Sequence, residues 1–359
     1  MVYVTFIKQD TVVGPHRATV SEMLLEAAGY SSGFQNYSKN FFEVRTFKTD
    51  PHYINMDMLE EVLQKEYTKE YIQFRIPKAS GGTRLIKAPA DGLKDLQREI
   101  VDVLQDRYKV LAHNAAYAYT KGRCAYDALV THQRKNARWF LKIDITDFFP
   151  SITEEVLKEQ LPKVYPLNWL SEDGLDNLID IATDEGALPQ GSPLSPLLSN
   201  LVLVEFDKIL TTILLRDLSQ RFTYTRYADD MLISCPYSFK FENIVKVIED
   251  LFEELNLPFE IARHKLRYSS KAGRNWNLGL MYNQDQRITV GSKRKRELHS
   301  LVNSFVTEYP WDIQSTQELI GKLGYLKNVE PDYYDNLITK YNTKYNVNVI
   351  SMFKSILNS

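Results

Sequence analysis

Apolar positions recur at helical spacing in three stretches: Leu93, Leu96, Ile100, Val103 and Leu104; then Ile244, Val245, Ile248, Leu251, Phe252 and Leu255; then Leu298, Leu301, Val302 and Phe305. Each set falls on one face of a helix, because side chains three and four apart stack on the same side. Ser151 with Glu154 and Ser315 with Glu318 fit capping boxes, and Ser195 before Pro196 fits an N-cap opening a helix through about Leu210. Shorter runs rich in β-branched and aromatic residues predict strands at Arg138 to Ile143, Phe222 to Arg226, Met231 to Cys235 and Ile288 to Val290. Strands and helices in this order predict an α+β fold, an antiparallel sheet with helices packed on one face. Residues 1–70 are less regular: Thr19 to Ala28 suggests a helix and Ser31 to Asn40 a loop.

With 359 residues, 44% hydrophobic and 25% charged, the chain is long enough for a large core and two or three subdomains. Its two cysteines, Cys124 and Cys235, offer neither a disulfide framework nor metal-knuckle spacing, which suits a reducing compartment. Lys8 and Asp10 interrupt the N-terminus, so no signal peptide or membrane span is expected. The net charge of −2 argues at first against a nucleic-acid partner. Distribution changes that picture. From Arg263 to Arg296 the basic residues Arg263, Lys265, Arg267, Lys271, Arg274, Arg287 and Lys293 to Arg296 are opposed only by Asp285. Two further basic sets are Arg75, Lys78, Arg84 and Lys87, and Lys121, Arg123, Arg134, Lys135 and Arg138. A charge run is most often a solvated face; three of them flanking one acidic motif suggest a polyanion.

The acidic motif is Arg226-Tyr227-Ala228-Asp229-Asp230, followed by the apolar Met231-Leu232-Ile233. It reads as a β-hairpin with Ala-Asp-Asp at its tip. Two adjacent anions repel, and a divalent cation offsets that repulsion because hard cations prefer carboxylate oxygen. The plain alternative is an acidic turn. Asp144 ends another apolar run, Leu141-Lys142-Ile143, with Asp147, Phe148 and Phe149 close behind. Carboxylates from two such strands can hold two metals about 3.5–4 Å apart, the arrangement used for in-line phosphoryl displacement. Asp147 also fits a simple cap. Between these segments, Leu188-Pro189-Gln190-Gly191-Ser192-Pro193 forms a loop in which Gly191 allows close backbone approach to a ligand.

Asp144 in its Phe-Phe setting, the Leu-Pro-Gln-Gly-Ser-Pro loop and Tyr-Ala-Asp-Asp occur in the order of polymerase motifs A, B and C, and over about residues 71–300 the chain resembles a bacterial reverse transcriptase. The resemblance implies a right-hand polymerase fold with fingers, palm and helical thumb. It divides the chain into an N-terminal extension (1–70), fingers (71–136), palm (137–152), a helical insertion (153–186), palm again (187–285) and thumb (286–359). It implies metal binding by Asp144, Asp229, Asp230 and the Ile145 carbonyl, with two Mg²⁺ ions that Mn²⁺ can replace. Lys265 matches a lysine that protonates departing pyrophosphate. Lys78, Arg84, Asp147, Phe149, Gln190 and Gly191 would bind the nucleotide, Phe149 as the ring that excludes a ribose 2′-hydroxyl and Arg84 as the triphosphate grip. Trp276 to Tyr282, with Gly279, resembles the primer grip. Lys121, Arg123 and Lys293, Arg294, Lys295 and Arg296 would contact nucleic acid.

Tyr119 to Leu129 resembles the Gly-Arg-Ser-x-x-Asp-Ala-Leu element of group II intron-like enzymes, whereas Asp127 to His132 and Asn277-Leu278-Gly279 depart from the Asn-Ala-x-x-His and Val-Thr-Gly of typical retron enzymes. No maturase-type DNA-binding or endonuclease segment follows, which favours a stand-alone enzyme in anti-phage defence. The expected partners are a structured noncoding RNA template, a DNA product, dNTPs and a defence effector or second copy. The expected location is the bacterial cytoplasm. Template-independent polymer synthesis, RNA synthesis, an intron or retron element enzyme, and a noncatalytic RNA-binding protein remain as alternatives.

Overall fold

The computed structural model describes residues 55–77, 81–216, 222–270, 276–283, 285, 287–308 and 311–358. The helix expected at Thr19 to Ala28, the loop after it, and Lys78 lie outside the described residues. Among the described residues no helix is long and apolar enough to cross a membrane.

The centre is a four-stranded antiparallel sheet of β3 (Trp139–Asp144), β4 (Thr223–Tyr227), β5 (Asp230–Cys235) and β6 (Arg267–Ser270), in the order β4-β5-β3-β6. Its residues divide between two cores. Leu141, Ile143, Met231 and Ile233 join one core with helices α4 (Glu154–Gln160), α5 (Glu172–Ala182), α6 (Ser195–Val202), α7 (Val204–Arg216) and α8 (Phe241–Glu254). Alternation along the strands sends Phe140 and Leu232 into the second core. There they meet Leu129 of α3 (Ala125–Arg134) and Leu280 and Tyr282 of a small sheet, β7 (Trp276–Asn277), β8 (Leu280–Tyr282) and β9 (Ile288–Thr289). The same core continues into four helices, α9 (Ser292–Thr307), α10 (Ile313–Val329), α11 (Pro331–Tyr345) and α12 (Val349–Leu357).

A separate antiparallel hairpin, β1 (Tyr71–Pro77) with β2 (Thr83–Pro89), has Gly81 and Gly82 at its tip with φ of 91° and 76°, values that favour glycine. It leads into α2 (Asp91–Asp102). The described part of residues 1–70 is no loose appendage: α1 (Asp57–Leu63) buries Leu59, Val62 and Leu63 in the first core.

The strands and periodic helices lie where hydropathy predicts them, but three helix starts differ. Thr153, not Ser151, caps α4 by accepting from Val156 N, and Ser151 instead bonds back to the Asp147 carbonyl. Asp312, not Ser315, caps α10, accepting from Ser315 N at 2.7 Å. Ser195 is the first residue of α6 rather than its cap, and the helix breaks at Leu203 before resuming as α7. In the first two cases an oxygen-bearing side chain three residues before the first free N–H competes better than the expected serine.

Candidate active site

Strand pairing brings the acidic residues together. Tyr227 pairs with Asp230 across a two-residue turn, Ala228-Asp229, and Asp144 stands opposite Asp230 in the register. Opposite residues of an antiparallel pair share a face, so Asp144 and Asp230 project to the same side. Asp229 joins them through its carbonyl, which accepts from Ile145 N at 3.2 Å. The turn is strained, since Ala228 has φ of 57° where glycine is favoured.

Burial pushes the Asp229 carboxyl up to about 6, with the charges of Asp230 and Asp144 adding to the rise. Asp230 is also raised, first by burial, against the lowering effect of Lys142. Lys265 Nζ lies 2.8 Å from Asp144 Oδ2, and Lys142 Nζ lies 3.0 Å from Asp230 Oδ1. Asp230 Oδ1 is buried, and Lys142 is the cation that faces it. With two carboxylates turned to lysines, no three His, Cys, Asp or Glu side chains among the described residues converge on one point. The chemistry of the set nevertheless fits hard divalent cations: three clustered carboxylates, two of them held by an ammonium that a cation could replace. Lys142 escaped the sequence reading, although its position two residues before Asp144 places it on the same strand face.

A cavity of about 560 Å³ opens beside this trio. Its lining includes Arg84, Ile145, Asp147, Phe149, Gln190, Asp229 and Lys265. Lys87, read from sequence only as part of a basic set, and Tyr119, read only as part of the run to Leu129, line it too. Gly191 sits just outside with φ of 120°, and a Cβ there would lie 2.7 Å from Ile86 Cγ2. Its close approach within the fold is to β2. Lys87 N donates to the Gln190 carbonyl at 2.8 Å, fastening the hairpin to this loop. The Lys87 side chain pairs with Asp184 at 2.6 Å and Glu185 at 2.7 Å.

Beneath the turn lies a buried polar network that hydropathy cannot reveal. Arg226 and Asp207, both with 0% exposed side chains, form a bidentate pair with Nε–Oδ1 at 3.0 Å and Nη2–Oδ2 at 2.7 Å. Arg226 Nη1 donates to Asn200 Oδ1 at 3.0 Å and to the Ala228 carbonyl at 3.2 Å. Tyr224 donates its hydroxyl to Asp207. His132 is buried between Ser234 Oγ at 2.6 Å and Thr225 Oγ1 at 2.8 Å, and burial lowers its pKa to about 3.

The basic residues assigned to nucleic acid divide by environment. Lys121, Lys293, Arg294 and Arg296 are exposed. Arg294 also donates to the Gly279 carbonyl at 3.2 Å and lies over the Tyr325 ring. Lys295 pairs with Glu330 and stacks over Tyr333, so its charge is directed inward. Arg123 is spent on the Asn114 and Ala116 carbonyls. Trp276 opens β7, and Leu278-Gly279 form the turn to β8.

The sequence profile of the family described as reverse transcriptase (RNA-dependent DNA polymerase) matches residues 76–299. The chain belongs to the reverse transcriptase family. This reverse transcriptase is 28% identical over 305 residues to the retron Ec83 reverse transcriptase of Escherichia coli, spanning 79% of this chain and 94% of that protein. It is 30% identical over 288 residues to the retron Ec73 reverse transcriptase of the same species, spanning 74% and 85%. Retron relatives thus run through most of the chain despite its two local departures from their motifs. An intron protein of Schizosaccharomyces pombe is similar over only 44% of it. Among solved structures, apo telomerase from Candida tropicalis aligns with a TM-score of 0.49 at 11% identity, covering 82% of this reverse transcriptase and 63% of that chain. The activity of the family is RNA-directed DNA polymerisation, with a fingers, palm and thumb architecture.

Proposed function

We propose that this reverse transcriptase copies a structured noncoding RNA into DNA by two-metal phosphoryl transfer. The observation that carries the reading is the register Asp144 opposite Asp230, with Asp229 at the adjoining turn. Asp144, Asp229 and Asp230, with the Ile145 carbonyl, would hold two Mg²⁺ ions. Bound there, such ions would lower the pKa of the primer 3′-hydroxyl and neutralise charge on the transferring phosphate.

The protein groups supply position and counter-charge. Arg84, on the Gly-Gly hairpin, offers a planar fork to triphosphate oxygens. Lys265, whose pKa is raised chiefly by its bond to Asp144, is charged near neutral pH and can give a proton to departing pyrophosphate. Release from Asp144 would leave that carboxylate open to a cation and Lys265 free to act as the acid. Phe149 would exclude a ribose 2′-hydroxyl, while Asp147, Gln190 and Gly191 shape the pocket. In this assignment residues 71–136 and 153–186 act as fingers, 137–152 and 187–285 as palm, and 286–359 as thumb. Exposed Lys121, Lys293, Arg294 and Arg296 would meet nucleic-acid phosphates. We further read the wider role as anti-phage defence, with an effector protein or second copy as partner.

Primer extension on an RNA template tests the core of this reading. Asp229→Ala should lose about a thousandfold or more of the activity. Parental extension by that variant would favour a noncatalytic or differently placed site. Sequenced products should match the template; homopolymer regardless of template would favour untemplated synthesis.

A further inference from the structure

We propose that Tyr119 is a specificity-determining residue of this reverse transcriptase: its ring continues the wall begun by Phe149 and braces the surface against which the incoming sugar is sorted. The inference rests on the assignment of Phe149 as sugar gate.

Tyr119 reaches the cavity from a loop far from the acidic motifs in sequence. Its ring centroid lies 6.4 Å from that of Phe149, tilted by 52°. Phe148 contacts Phe149 as well, with centroids 5.4 Å apart, and is itself buried. Phe149 is therefore supported by two rings, one in the core and one at the cavity wall. Tyr119 remains 45% exposed, so much of its surface is left for a ligand rather than consumed by packing.

The backbone around Tyr119 is built to keep it there. Its φ is 58°, uncommon for a bulky residue and found where surroundings impose it, often at functional sites. Those surroundings are explicit. Tyr117 N donates to the Arg226 carbonyl at 2.8 Å, and Asn200 Nδ2 donates to the Ala118 carbonyl at 2.8 Å. Thr120 Oγ1 is 3.3 Å from the same Ala118 carbonyl. Since Asn200 also accepts from Arg226, the loop bearing Tyr119 and the turn bearing Asp229 hang from one buried network. A ring with this placement fixes where the gate stands relative to the reacting phosphate, which is the geometric requirement for discriminating a sugar by one hydroxyl.

Single-nucleotide incorporation, measured with dNTPs and with rNTPs, tests the proposal. Tyr119→Ala should raise KM for dNTPs about tenfold, hold kcat within about threefold, and reduce sugar discrimination by about tenfold. Tyr119→Phe, which keeps the ring, should behave as the parent. Thermal unfolding monitors each variant, and Tyr119→Leu carries the same test should the alanine variant fold poorly. Parental KM and discrimination in Tyr119→Ala, alongside lost discrimination in Phe149→Ala, would overturn the role of Tyr119 and leave the gate intact. Unchanged discrimination in Phe149→Ala would instead sink the gate assignment on which it rests.

Discussion

At the scale of single residues, the site combines groups that local pattern exposes with groups that it hides. Asp144, Asp229, Asp230 and Phe149 are legible because each belongs to a short run with a fixed spacing. His132 is not, since a lone histidine on a helix carries no sign of the two hydroxyls that enclose it. Its folded pKa of about 3 lies below the ordinary 6.5, so only the unfolded chain takes up a proton between those values. Its contribution to stability is therefore constant above pH 6.5 and lost as the pH falls towards 3, at about 1.4 kcal/mol per pH unit. Unfolding of the parent and of His132→Gln between pH 6.5 and about 5 should show a shallower decline in the variant. The pKa of Asp229 moves the other way for a like reason, its carboxyl made costly to ionise by burial and its acidic neighbours. If Asp229 holds Mg²⁺ as proposed, Mg²⁺ should raise Tm of the parent, and Asp229→Asn should raise Tm in chelator and abolish that increment.

At the scale of elements, helices and strands were predictable because apolar periodicity is local, whereas their starts were less so. Thr153 and Asp312 took the capping positions by geometry that nearby serines imitate in sequence. The pairing of Arg226 with Asp207 was hidden for a different reason: its members sit on β4 and α7, and polar residues read as surface until a partner is seen. This pair joins the helix to the strand that leads into the Ala228-Asp229 turn. Breaking a buried ion pair from one side leaves a bare charge in a dry interior. Asp207→Asn should cost about 3–5 kcal/mol, read by denaturant unfolding, with Tyr224→Phe losing only about 1 kcal/mol.

At the scale of the whole molecule, the four C-terminal helices are anchored at a hinge between β9 and α9. Glu330 accepts there from Thr289 Oγ1 at 2.7 Å and Val290 N at 3.0 Å while pairing with Lys295. The sequence indicated a basic, helical end to the chain but not that one carboxylate would gather both sides of the joint. Glu330→Ala should shorten the product made per binding event on a long template, with incorporation of the first nucleotide little changed; equal product lengths would remove the hinge from the account. Phe140 and Leu232 have a larger bearing on the architecture. They spring from the same strands as Asp144 and Asp230 and share their face, and the core they join continues through Leu280 and Tyr282 into the helices beyond residue 290. A shortened protein ending before Ser292 would thus lack more than a clamp for the duplex: the core that continues from the acidic face of the sheet would lie open to water, and amputating the grip would blunt the chemistry itself.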